Sequence, residues 1–174
     1  MEIKDPTKNK IFLWFLHRKE TLTKDNLAKR QWTGCKKCVF YDMDESVEHL
    51  FAFARDIWRL VHFTFNIYPP TSIPNMFGSW LNGIDKGSKA RIRIGIAAIL
   101  CALWNCRNEI IFNKSSSTHY LQVIHKAMYW THLWSFLLPA DQRGLMDTAC
   151  TRMLTVIRAI FNWGGWLQHR RLHG

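Results

Sequence analysis

Cys35, Cys38 and His49 are the residues of this chain whose types and spacing could do chemistry. Two thiols set two residues apart, followed after an acidic turn by an imidazole, are how a small tetrahedral zinc site begins. Such a site takes four thiolate or imidazole donors. The stretch 34–58 reads GCKKCVFYDMDESVEHLFAFARDIW, and the turn after His49 offers Ala52 and Ala54 in place of a further Cys or His. Three candidate donors against a need for four make the knuckle incomplete. His49 also shares a helical face with Phe53 and Ile57 at i, i+4 spacing, so apolar neighbours hold it whether or not metal is present.

Catalytic constellations are not apparent. The chain has 13 Asp and Glu, and four of them (Asp42, Asp44, Glu45 and Glu48) crowd into one short stretch without downstream partners. Two-metal polymerase or nuclease chemistry needs carboxylates converging from separated segments. No glycine-rich phosphate loop and no nucleophile elbow occurs. The expectation is that the chain is not an enzyme.

Charge points to a polyanionic partner. Twenty-four Lys and Arg give a formal charge of +11, and residues 1–40 hold ten of them against four acids. Lys86, Lys89, Arg91 and Arg93 form a second cluster. Basic stripes bind phosphate backbones through counterion release, without reading sequence. The candidate contacts to RNA or DNA are Lys8, Lys10, Arg18, Lys19, Lys24, Lys29, Arg30, Lys36 and Lys37. A solvated helix face would show the same composition, so this reading needs the structure.

The elements that must position these residues read as helices. Asp5-Pro6 opens one through about Lys19, whose run Ile11–Leu16 is apolar nearly all round and should lie centrally in the core. Thr23 is an N-cap candidate for a helix to about Gln31, and Ser46 one for the helix carrying His49. Between them a short hairpin at 34–42 is expected at most. Pro69-Pro70 and Pro74 mark a linker. Ser88 to about Asn113 reads as a long helix burying Ile92, Ile96, Ile99, Leu103 and Trp104. Ser115–Ser117 break the pattern, and a helix from Tyr120 to Leu138 stops at Pro139. A last one, with Asp141 as its cap, presents Ala149, Met153, Val156, Ile160 and Trp163 and ends at Gly164-Gly165. The fold class is mainly α, with a small degenerate zinc-knuckle region followed by a helical bundle.

Five cysteines are an odd set, and the opening residues lack the apolar core of a secretory signal, so a disulfide framework is not expected. The longest uncharged apolar run, Gly95–Trp104, is shorter than the roughly 20 residues of a bilayer span. An intracellular, nuclear setting without a membrane is the expectation.

Several of these motifs also occur in a fixed order that resembles the zinc-binding region downstream of the reverse transcriptase in plant LINE-type (non-LTR) retrotransposons. They are Pro6, Lys8 and Phe12-Leu13-Trp14, then Leu22-Thr23, Leu27-Ala28 and Arg30. Cys38 follows, then Glu45-Ser46-Val47-Glu48-His49-Leu50-Phe51 and Trp58. Trp104-Asn105-Cys106-Arg107-Asn108 with Phe112 is similar to a segment found beyond that region. The resemblance implies that Cys38 and His49 stand at the first and third zinc-ligand positions. Tyr41 then replaces the second thiolate, the last cysteine falls in a short deletion after Phe51, and Cys35 stands where the family has no ligand. A phenol is a poor zinc ligand.

On this reading residues 6–66 form the zinc-binding-like domain, 67–85 a linker with a short helix, and 86–165 a helical C-terminal region. Arg107 and Asn108 could contact a partner, or could fix neighbouring helices. Two functions remain open. One is a non-catalytic module that holds RNA or DNA backbone near a reverse transcriptase polypeptide. The other is a helical scaffold or protein-interaction remnant with no nucleic-acid activity.

Overall fold

The computed structural model describes residues 6–39, 43–53, 58, 61–63, 66–113 and 120–164. The chain is mainly α. Seven helices are described: α1 Pro6–His17, α2 Lys24–Lys29, α3 Val47–Phe53, α4 Ile73–Phe77, α5 Lys86–Asn113, α6 Tyr120–Ser135 and α7 Ala140–Gly164. The expected hairpin is a single antiparallel bridge between Lys37 and Asp44. Cys38 N–H donates to the Met43 carbonyl at 2.7 Å, and Glu45 N–H donates to that of Lys36 at 2.9 Å.

Local chemistry explains the helix limits, several of which differ from expectation. α1 stops at His17 rather than Lys19, because Lys19 adopts φ 57°. Lys19 N–H then reaches Leu16 O, and Glu20 N–H reaches Phe15 O at 2.8 Å. That paired capping satisfies carbonyls that would otherwise be left over, and usually employs glycine at the left-handed residue. α2 ends the same way. Gln31 has φ 64°, its N–H bonds Ala28 O, and Trp32 N–H bonds Leu27 O. α5 begins at Lys86, earlier than Ser88, since the Asp85 carboxylate accepts from Ser88 N–H at 2.9 Å. A hydrogen bond from the Ser88 side chain, then the one from its amide, with lesser help from the Gly87 amide and Arg91, holds the Asp85 carboxyl below its ordinary pKa. Asp141 is not the cap of α7. It lies inside the first turn, after Ala140.

α5 is the spine of the molecule. Ile92, Ile96, Ile99 and Leu103 are buried as expected, and so are Ala98, Cys101, Ala102, Cys106 and Arg107. It packs along α6, and also meets α1 and α7. α6 contributes Val123, Ala127, Trp130 and Trp134, the two tryptophans stacking at 5.8 Å, while α7 contributes Met146, Met153 and Ile157. Each such side chain is worth roughly 1.5–3 kcal/mol when withdrawn from water. By length and composition α5 could cross a bilayer, but 56% of that stretch is buried inside the fold.

Residues 67–85 join the core through Ile73 and Leu81, with α4 lying against α1. Trp80 Nε1 donates to Tyr68 O at 2.7 Å, and its ring meets buried Trp58 edge-on at 5.6 Å. α1 is the clearest departure from expectation. Among its described side chains only Phe12 and Leu16 are buried, whereas Ile11, Trp14 and Phe15 are 50%, 53% and 36% exposed. One helix laid on the outside of α5 can bury one stripe, so an all-round apolar sequence leaves the remainder in solvent. Ser115–Ser117, Gly165 and the side chains of Ile57, Ile160 and Trp163 lie outside the described residues.

Candidate nucleic-acid interface

The basic N-terminal segment is held in place by one carboxylate. Glu45 follows the hairpin, and none of its side chain is exposed. Its Oε1 accepts from Lys24 N–H at 2.9 Å and from Arg107 Nη2 at 2.5 Å, while Oε2 accepts from Arg107 Nε at 3.2 Å. Its own carbonyl accepts from Asp25 N–H at 3.2 Å. The first two amides of α2 are thus capped by Glu45, which lies 21 residues away for the Lys24 contact. Thr23, the expected cap, makes no capping bond. Its hydroxyl donates instead toward Asp25 Oδ1 or Thr21 O.

Arg107 is 1% exposed, gives Nη1 to Asn108 Oδ1 at 2.8 Å, and lies 4.9 Å from the ring centre of Trp104. Trp104 stacks on Phe12 at 5.3 Å. Of the two roles open for Arg107, the structure therefore shows the one that fixes neighbouring elements. Asn26 adds to the same knot, donating from Nδ2 to Lys19 O and Thr21 O, each at 2.8 Å.

Around this anchor the basic residues divide into three groups. Lys24 is a correction: it is buried, and its ammonium donates to Lys37 O at 2.5 Å, so it joins α2 to the hairpin instead of facing solvent. Arg18, Lys19 and Lys37 are exposed but paired, with Glu20 at 3.0 Å, Glu48 at 2.6 Å and Asp44 at 3.8 Å. The Lys19 hydrogen bond holds the Glu48 carboxyl below its ordinary range. Lys10, Lys29, Arg30 and Lys36 are exposed and form no ion pair among the described residues. Lys29 Nζ is bonded to Asn26 Oδ1 at 2.7 Å, which positions it without neutralising it. The side chain of Lys8 lies outside the described residues.

The candidate metal donors are not gathered into a site. Cys35 is exposed and Cys38 buried. Ser46 caps α3 as expected, accepting from His49 N–H at 3.0 Å, which fixes His49 at the third position of that helix. Burial pushes the His49 imidazole below its ordinary pKa, and the Glu45 charge opposes this. Among the described residues no three His, Cys, Asp or Glu side chains come together as a cradle for a metal ion. Tyr41 lies outside the described residues. Among the described residues the candidate donors therefore do not make up a complete structural zinc site.

Residues 2–58, about a third of the chain, match the family model described as zinc-binding in reverse transcriptase. No curated protein and no solved structure matches the chain. The matched segment carries all nine candidate nucleic-acid contacts, and it stops well before Arg107, which anchors it. Sequence reading passed over Glu45 as one acid in an acidic turn. The signal that could have found it was its company: Glu45 opens the Glu-Ser-x-x-His motif, and Arg107 belongs to the other conspicuous motif, Trp-x-x-Arg-Asn.

Proposed function

We propose that this chain is a non-catalytic accessory module that binds the phosphate backbone of RNA or DNA without sequence preference. The observation that carries the proposal is the set Lys10, Lys29, Arg30 and Lys36, exposed and without carboxylate partners among the described residues, the last three on elements tied together by Glu45. Fixed cations lose less side-chain freedom on meeting phosphate than mobile ones do. A solvated face serving only solubility would not need its lysines held by Asn26 or its helix capped from the hairpin.

The order of the motifs supports a finer reading, a module derived from a plant LINE-type retroelement, working in the nucleus beside a reverse transcriptase polypeptide.

The test is a binding titration with single-stranded RNA and duplex DNA over a range of salt. Four neutralised phosphates give a log–log slope of about −3.6 on duplex DNA, or a loss of roughly 150-fold between 50 and 200 mM salt. Lys29→Ala with Arg30→Ala should flatten that slope by about 1.8 and weaken all sequences alike. Negligible binding at physiological salt, or a flat slope, would favour the scaffold function instead.

A further inference from the structure

Beside the unpaired cations lies a groove of about 300 Å³, lined by Ile11, Phe12, Phe15, Glu20, Thr21, Leu22, Arg30 and Trp104. Three observations mark it as more than a fold in the surface. Its apolar wall residues are partly in solvent, with Ile11, Phe15 and Leu22 between 36% and 50% exposed. The stacked pair Phe12–Trp104 lies against it, aligned within 18°. Thr21 is 3% exposed, and its hydroxyl has no hydrogen-bond partner among the described residues. A buried hydroxyl left unmatched costs about 1–3 kcal/mol, and a ligand with a polar edge would recover it.

One chemistry answers all three together with the charge at the rim. It must carry an anion for Arg30, a flat apolar face for Phe15 and Trp104, and a polar edge for Thr21. Volume limits it to something small, since ligand sites run from about 300 to 1,000 Å³. An unpaired nucleotide meets each requirement. A base inside a duplex does not, because its faces are already stacked and its edge paired.

Building on the phosphate-binding reading above, we propose that this groove receives one unstacked base of a single-stranded nucleic acid, with its phosphate on Arg30. The basic face holds the strand, and the groove makes the module discriminate single strands from duplexes without reading sequence.

The full chain can be titrated with three fluorescent probes: a short single-stranded DNA, its duplex, and an abasic strand of equal length. The base-bearing strand should bind at least about fivefold tighter than the abasic strand, from one base–aromatic contact. Phe15→Ala should bring the base-bearing strand down toward the abasic level and leave abasic binding unchanged. Leu22→Ala, at an exposed wall position, should act in the same direction and guards against misfolding of the first variant. Thr21→Val should leave the melting temperature equal or higher, yet weaken the base-bearing strand alone. If base-bearing and abasic strands bind equally and the variants change nothing, the groove proposal is overturned while phosphate binding stands. If no probe binds, both readings fall.

Discussion

Removing either partner of the Glu45–Arg107 pair should unfasten the basic segment from the helical core. Both side chains are essentially inaccessible, at 0% and 1% exposure. Arg107→Ala leaves a buried carboxylate without its cation, and breaking such a pair from one side costs about 3–5 kcal/mol. Glu45→Ala leaves a buried guanidinium and also strips the Lys24 amide of its acceptor, adding roughly 1 kcal/mol. Against a total stability of about 5–15 kcal/mol these are large losses. With a urea m-value near 2 kcal/mol/M, the midpoint should fall by about 1.5–2.5 M in Arg107→Ala and by about 2–3 M in Glu45→Ala. Glu45→Met with Arg107→Met should lose far less than the two singles summed, because no charge remains buried. What it does lose should reside in the cap of α2.

Urea unfolding of the four species gives the coupling energy directly, and amide exchange locates it. In Arg107→Ala the Lys24 and Asp25 amides, which donate to Glu45, should exchange faster although they lie more than 80 residues away in sequence. Single substitutions costing under about 1 kcal/mol and adding without coupling would refute the reasoning. They would mean that the pair is solvated, and that the N-terminal segment and the long helix do not share one anchor.

Four further outcomes are expected. Lys24→Ala should lower stability by about 1–2 kcal/mol while leaving the salt slope of nucleic-acid binding unchanged, the reverse of Lys29→Ala with Arg30→Ala; urea unfolding beside the titration checks both. Gln31→Gly should raise the melting temperature, since φ 64° costs a non-glycine residue up to about 1 kcal/mol. With iodoacetamide at pH 8, exposed Cys35 should label first. Cys101, with its thiol pushed up to about 12 by burial, and Cys150, at about 11 from burial and the Asp147 charge, should label slowly until the chain unfolds, as read by peptide mass. Chelator treatment should leave the thermal melt unchanged, and one equivalent of dialysis-resistant zinc released by Cys38→Ser would contradict that.

Local features were legible in the sequence where local physics decides them. Pro6 and Ser46 mark helix starts that the structure keeps, and the Ile92–Leu103 spacing correctly announced a buried face, whereas α6 ends at Ser135, short of the Leu138 expected from Pro139. The helix ends at Lys19 and Gln31 were not legible, because left-handed caps there use residues with no glycine signature. The exposure of Ile11, Trp14 and Phe15 was not legible either. Periodicity reports which stripes could be buried, whereas the number of neighbours decides how many are. Lys24 was misassigned for a related reason. Composition counts its charge, but the carbonyl of Lys37 that receives its ammonium lies across a hairpin that no local pattern places. The Glu45–Arg107 pair spans 62 residues, so only the conspicuousness of the two motifs hinted at a connection.

That pair also bears on what an incomplete zinc knuckle can still do. In a small module, zinc serves by cross-linking a turn to the helices beside it, and an incomplete donor set gives that up. Here Glu45 makes comparable links. Its side chain joins the start of α2 to the C-terminal part of α5, and its backbone joins both to the hairpin at Lys36. Lys29 and Arg30 ride on α2 and Lys36 on the hairpin, so three of the four unpaired cations take their positions from this residue. Their arrangement should therefore survive a chelator and fail in Arg107→Ala, a substitution that removes none of the proposed phosphate contacts. Weaker binding in Arg107→Ala with an unchanged number of released counterions would show that the anchor acts by holding the cations in place.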